Sequence, residues 1–72
     1  MTRFFIRVAQ LVFYKAGYRK DESYLMAQDM VSYMMNNLDE CRERYQIDDE
    51  FDLAYHMARE RVAQMQQHAY AR

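Results

Sequence analysis

The chain has 72 residues, half of them hydrophobic, with one glycine, no proline, one cysteine and a formal net charge of −1. That excludes a disordered tail, which would lack the apolar content, and a disulfide scaffold, which would need a second cysteine. It also places the chain near the lower size limit for a single hydrophobic core, so it is one domain, for which help from a second copy or a partner is a live expectation.

The first predicted helix runs through "RFFIRVAQLVFYKAG", residues 3–17. Arg7 and Gln10 interrupt the apolar run well short of the roughly 20 residues a membrane span requires, and no small-residue cleavage signature follows. Neither a transmembrane helix nor a signal peptide is expected, and a basic amphipathic membrane anchor is the weaker use of the five bases found here. On a helical wheel, Arg3, Arg7, Gln10, Tyr14 and Tyr18 form a narrow polar or amphipathic strip. Phe4, Phe5, Ile6, Val8, Ala9, Leu11, Val12, Phe13 and Ala16 sweep an apolar arc of about 220°. One packing partner needs about half that arc, so this helix is expected to be enclosed on two sides, by the later helices on one and by a second subunit or partner on the other. Gly17 supplies a left-handed stop and Tyr18 is placed to fold back on the last turn. Lys15, Arg19 and Lys20 then sit near the negative end of the helix dipole.

Asp21 and Glu22 favour the start of a second helix. Tyr24, Ala27, Val31, Met34, Leu38, Cys41 and Tyr45 recur at steps of three and four and predict one long helix with a heptad-like seam. Asp48, Asp49 and Glu50 cap a third helix with a narrower seam of Phe51, Tyr55, Ala58, Val62, Met65 and Ala69. Ala54, Ala58 and Ala69 permit a close approach of this helix. The short connections make neighbours antiparallel. The expected architecture is therefore an all-α, small three-helix bundle: a long antiparallel hairpin of helices 2 and 3 with an apolar helix 1 packed against it, over residues 1–72.

Catalytic equipment is thin. Asp52, His56 and Glu60 lie four apart on one helical face, a spacing open to metal ligation, but the chain lacks an HExxH motif and a Glu-x-x-His pair repeated on two helices, and the spacing suits a solvated face better. Ser23, Ser32 and Cys41 have no histidine within a helical turn, and a phosphate-cradling loop needs more glycines than the one spent on a cap. No enzymatic activity, metal or cofactor is expected. Cys41 reads as a small buried hydrophobe and the lone cysteine makes the cytoplasm the default compartment.

Charge is polarised along the chain. Residues 1–20 carry Arg3, Arg7, Lys15, Arg19 and Lys20 with no acid; residues 21–52 carry ten acids against Arg42 and Arg44. The acidic group Asp39, Glu40, Glu43, Asp48, Asp49, Glu50 and Asp52 would suit a basic partner, and the five early bases would suit phosphates. A helix-turn-helix reader fits poorly, since no polar, basic recognition helix is present. Beyond its seam, the second helix carries Met26, Met30, Tyr33 and Asn37 on an adjacent strip, extending its apolar arc to about 200°. Such a strip suits docking on another protein, unless the first helix covers it as core.

Together these features predict a non-catalytic interaction module, an adaptor or stoichiometric inhibitor acting by surface occupation on another protein or a second copy of itself. By analogy alone, mobile elements such as phages encode proteins of this kind against host complexes. The predicted partner-binding residues are Met26, Met30, Tyr33, Asn37, Asp39, Glu40, Glu43, Asp49 and Glu50. The alternative is a nucleic-acid-associated regulator using Arg3, Arg7, Lys15, Arg19 and Lys20.

Overall fold

A computed structural model describes the backbone of residues 2–70 and the side chains of residues 2–66. Four helices and no strand occur among the described residues: α1 (Thr2–Lys15), α2 (Lys20–Asn36), α3 (Leu38–Tyr45) and α4 (Glu50–Tyr70). The all-α class follows from the composition as expected, but the expected three helices are four. Asn37 is the reason. Its side-chain Nδ2 donates to the Tyr33 carbonyl at 2.9 Å, and its backbone N–H reaches the Tyr33 and Met34 carbonyls, closing α2. Its φ of −133° lies outside the helical region, so the chain turns there before its own carbonyl accepts from Cys41 and α3 begins. A short amide side chain competing for backbone groups is the standard way an asparagine interrupts a helix.

The expected hairpin also changes partners. α1 is the central helix, packed along both α2 and α4, whereas α2, α3 and α4 touch one another over shorter stretches. Phe5 meets Phe51 edge-on with ring centroids 4.8 Å apart, and Tyr18 Oη donates to Met65 Sδ at 3.5 Å. These two contacts run the same way along both helices, so α1 and α4 lie parallel while α2 returns antiparallel to α1. Helix 1 does have two walls, but both come from its own chain, α2 on one side and α4 on the other, instead of a hairpin on one side and a second subunit or partner on the other.

Gly17 has φ +110° and follows the last turn of α1, where Tyr18 N–H donates to the Phe13 carbonyl at 3.3 Å. Tyr18 folds back and presents its ring edge to Phe13 at 6.5 Å, the apolar contact that accompanies such a cap. A Cβ at Gly17 would meet open space, so the obstacle to another residue is the backbone conformation alone. Gly17→Ala is expected to cost about 1–2 kcal/mol, lowering Tm by about 4–8 °C for each kcal/mol, as read by thermal circular dichroism. An unchanged melt would show that the cap tolerates a side chain. The second left-handed residue is Gln46 at φ 58°, which ends α3 without a glycine and donates from Nε2 to the Glu43 carbonyl at 2.7 Å.

The core consists of Phe5, Ala9 and Phe13 from α1, Ala27, Met30, Val31 and Met34 from α2, Cys41 from α3, and Leu53, Ala54, Met57 and Ala58 from α4. Ala54 and Ala58 are fully buried, in keeping with the close approach that small residues allow. The buried stripes of α2 and α4 are rotated from the expected seams. Tyr24, Phe51 and Tyr55 remain exposed, while Ser23, Met30, Leu53 and Met57 turn inward. Ser23 satisfies its buried hydroxyl by reaching the Tyr18 carbonyl at 3.5 Å. Ala69, expected in the last seam, and the base Arg72 lie outside the described side chains.

The molecule measures 34 × 24 × 16 Å. No described helix is long and apolar enough to cross a membrane.

Candidate functional site

Four regions of surface chemistry were expected from the sequence, and the fold separates them. The Met/Tyr strip of α2 is split first. Met30 is 0% exposed and belongs to the core, so its assignment to a docking strip is corrected: α2 presents it inward beside Ala27, Val31 and Met34. Met26 is half-buried against that core, Asn37 is spent on the break between α2 and α3, and Tyr33 alone is clearly exposed, at 39%. Tyr33 sits at the mouth of a small hollow with Arg44, Tyr45 and Glu60.

At that hollow, Tyr45 Oη donates to Glu60 Oε1 at 2.7 Å. Burial, reinforced by this bond and by the Glu60 charge, pushes the Tyr45 phenol above its ordinary range. Glu60 is therefore turned toward Tyr45 rather than toward Asp52 and His56. Among the described residues no three His, Cys, Asp or Glu side chains converge on a point that would hold a metal ion. Cys41 is buried, and desolvation raises its thiol above the ordinary range against the opposing pull of Arg44.

The acidic group is only partly a surface. Asp49 caps α4: its Oδ1 accepts from the backbone N–H groups of Phe51 at 2.7 Å and Asp52 at 3.3 Å. Arg42 reaches from α3 to this turn, donating from Nη2 to Glu50 Oε1 at 2.8 Å and from Nε to the Asp48 carbonyl at 3.1 Å. Glu40 makes a long, exposed i,i+4 pair with Arg44 at 3.9 Å. Asp49 and Glu50 therefore hold the α3–α4 corner together, and Asp39 and Glu43 are the exposed acids beside it. Asp49→Ala is expected to lower stability by about 1 kcal/mol through loss of the cap, measured as a shift of the urea midpoint. An unchanged midpoint would return Asp49 to the surface charges.

The five early bases do not form one strip. Arg3 and Arg7 share an exposed face of α1. Arg19 pairs loosely with Asp21 at 3.6 Å and joins Lys20, Gln10, Tyr14 and Tyr24 around a shallow hollow where α1 meets α2. Lys15 points to the opposite flank of α1.

That opposite flank carries the feature the sequence reading missed. Between α1 and α4 lies an open groove of about 540 Å³, with Val8, Leu11, Val12 and Ala16 on one wall and Tyr55, Val62 and Ala63 on the other. Lys15, Arg59 and Gln66 are its polar members, and no acidic side chain lines it. Arg59 is held in place by Tyr55: Nη1 donates to the phenolic oxygen at 3.1 Å, and the guanidinium carbon stands 5.6 Å from the ring centroid. The signal for this groove was the width of the first helix's apolar arc, of which Phe4 and Leu11 remain about half exposed. Its other wall was hidden because Tyr55 and Val62 fit the expected internal seam equally well. No protein-family model matches this chain, and neither a curated protein nor a solved structure matches it, so its function is argued from its own surface.

Proposed function

We propose that this chain is a non-catalytic protein-interaction module, an adaptor or stoichiometric inhibitor that works by occupying part of another protein's surface. The observation that carries this reading is the α1–α4 groove, an apolar concavity flanked by the exposed side chains of Leu11 and Tyr55. Exposed apolar patches of this kind mark interaction sites on small soluble domains. The free thiol suits a reducing compartment, hence a cytoplasmic setting, and an origin in a mobile element such as a phage acting on a host complex is an analogy of size and simplicity.

The test is retention of a protein from native host extract by the tagged chain. We expect a stoichiometric protein partner that survives nuclease treatment and is lost on Leu11→Glu, with the melt of that variant close to wild type because Leu11 is about half exposed. Retention of no protein, or release of everything by nuclease, would overturn the reading.

One observation favours a second reading, a nucleic-acid-associated regulator. Tyr14 and Tyr24 flank the hollow that Arg19 and Lys20 border, and exposed aromatics beside bases are how single strands are stacked and tracked. Its signature is a steep loss of single-strand affinity with salt, reduced by charge removal at Arg3, Arg7, Arg19 and Lys20.

A further inference from the structure

We propose that the α1–α4 groove receives one amphipathic helix of about three turns from a partner protein, with carboxylates flanking its apolar stripe. This rests on the reading of the chain as an interaction module and names the chemistry of what it binds.

The groove has the form of a missing helix position. α1 and α4 run parallel, and α2 meets α1 on the flank of Gln10 and Tyr14, leaving the Leu11 flank uncovered. Along α1 the wall from Val8 to Ala16 is about 12 Å long, and along α4 the wall from Tyr55 to Gln66 is about 16 Å, at 1.5 Å per helical residue. That matches eight to eleven residues of helix, enough to seat apolar side chains at i, i+3 or i+4, and i+7.

Charge selects the occupant. Both charged side chains of the described lining are cationic, and they stand on opposite walls, Lys15 on α1 and Arg59 on α4. A helix lying between them would meet a positive charge on each side of its apolar stripe. Arg59 is already positioned by Tyr55, so a carboxylate binds a pre-organised fork instead of a freely rotating one. A basic or neutral helix would desolvate both cations without compensation.

The same charges argue against a second copy. A two-fold pairing of groove on groove would bring Lys15 and Arg59 toward their own equivalents, with like charges opposed across a closing interface. Nor can the chain's acidic helix fill the slot, because α3 has eight residues and its apolar side chains Leu38, Cys41 and Tyr45 are already packed in or against the core.

The experiment uses the full chain and three fluorescent 16-residue helical peptides, followed by anisotropy. The first carries leucines at helical i, i+4, i+7 and i+11 positions with glutamates flanking them. The second replaces those glutamates with lysines, and the third replaces the leucines with serines. We expect the first to bind at least about tenfold more tightly than either control, and its affinity to fall with added salt. Leu11→Glu should remove the binding, and the double variant Lys15→Glu with Arg59→Glu should reverse the preference toward the lysine peptide. Both variants change exposed side chains, and circular dichroism verifies that they fold. Equal or tighter binding of the lysine peptide would overturn the assigned chemistry, as would binding insensitive to both variants, no binding at all, or a dimer whose formation blocks the peptide. If the acidic peptide fails while Leu11→Glu still abolishes retention of the host protein, the occupant is wrong and the interaction reading stands.

Discussion

Met30→Lys is expected to unfold the domain, or to lower its Tm by more than about 15 °C in a circular-dichroism melt. Met30 has no exposed surface and lies in a core where, among the described residues, the one buried polar side chain is Ser23, already engaged by the Tyr18 carbonyl. A lysine there has room for its stem but no partner for its ammonium, and the effective penalty for an unpaired buried charge is several kcal/mol, whether taken as desolvation or as forced deprotonation. The whole domain has only about 4–11 kcal/mol to lose at 0.05–0.15 kcal/mol per residue. Tyr33→Glu, three positions along the same helix, should change stability by less than about 1 kcal/mol because Tyr33 is substantially exposed and neighbours Arg44. The contrast between the two variants measures which way α2 is rotated. A Met30→Lys melt within a few degrees of wild type would show that this residue faces solvent.

Phe13→Ala should cost about 3–5 kcal/mol, the loss expected when a buried aromatic is truncated in a core that cannot fully collapse. Phe13 is fully buried in the central helix, and its ring backs the edge of Tyr18 where the chain reverses after Gly17. Removing it therefore opens a cavity and undoes the contact that seats the turn into α2. Leu38→Ala, just beyond the Asn37 break, removes a side chain that is only half-buried and should cost less than half as much. Urea denaturation with an unchanged slope gives both values, and a Phe13→Ala cost below about 1 kcal/mol would contradict the described core.

The first helix was largely legible before any coordinates. Its end at Gly17 and the return of Tyr18 follow from the one glycine after the apolar run, and its two walls follow from an apolar arc too wide for one neighbour, although the second wall is α4 and not a partner. The break at Asn37 was not, because Leu38, Cys41 and Tyr45 continue the three-and-four spacing of Val31 and Met34 as though the helix were unbroken. Periodicity records which residues are apolar, while the interruption is decided by one amide side chain bonding to its own turn. The rotation of α2 and α4 was hidden for a related reason. Tyrosine counts as apolar on a wheel, yet Tyr24 and Tyr55 keep their hydroxyls at the surface, and the buried positions go to Ser23, Met30, Leu53 and Met57. The acidic group was legible as charge and, at Asp49, as the cap of the last helix, whereas the pairing of Glu50 with Arg42 across the α3–α4 corner shows only in the fold. The groove was legible in half, from the α1 side only.

The burial of Cys41 gives the chain a chemical clock. A thiol at 2% exposure is alkylated only when the protein opens, so its reaction with iodoacetamide is slowed, relative to an unfolded peptide, by the ratio of closed to open molecules. For a small domain that ratio is about 10³–10⁸. Because burial raises the thiol's pKa, the folded state holds this proton more tightly than the unfolded chain. The resulting stabilisation is complete below the ordinary thiol range and declines as pH climbs through and beyond it. Below that range, the labelling half-life reports the free energy of opening of α3 without denaturant or heat, and a bound partner that clamps the fold would register as a longer half-life at the same pH.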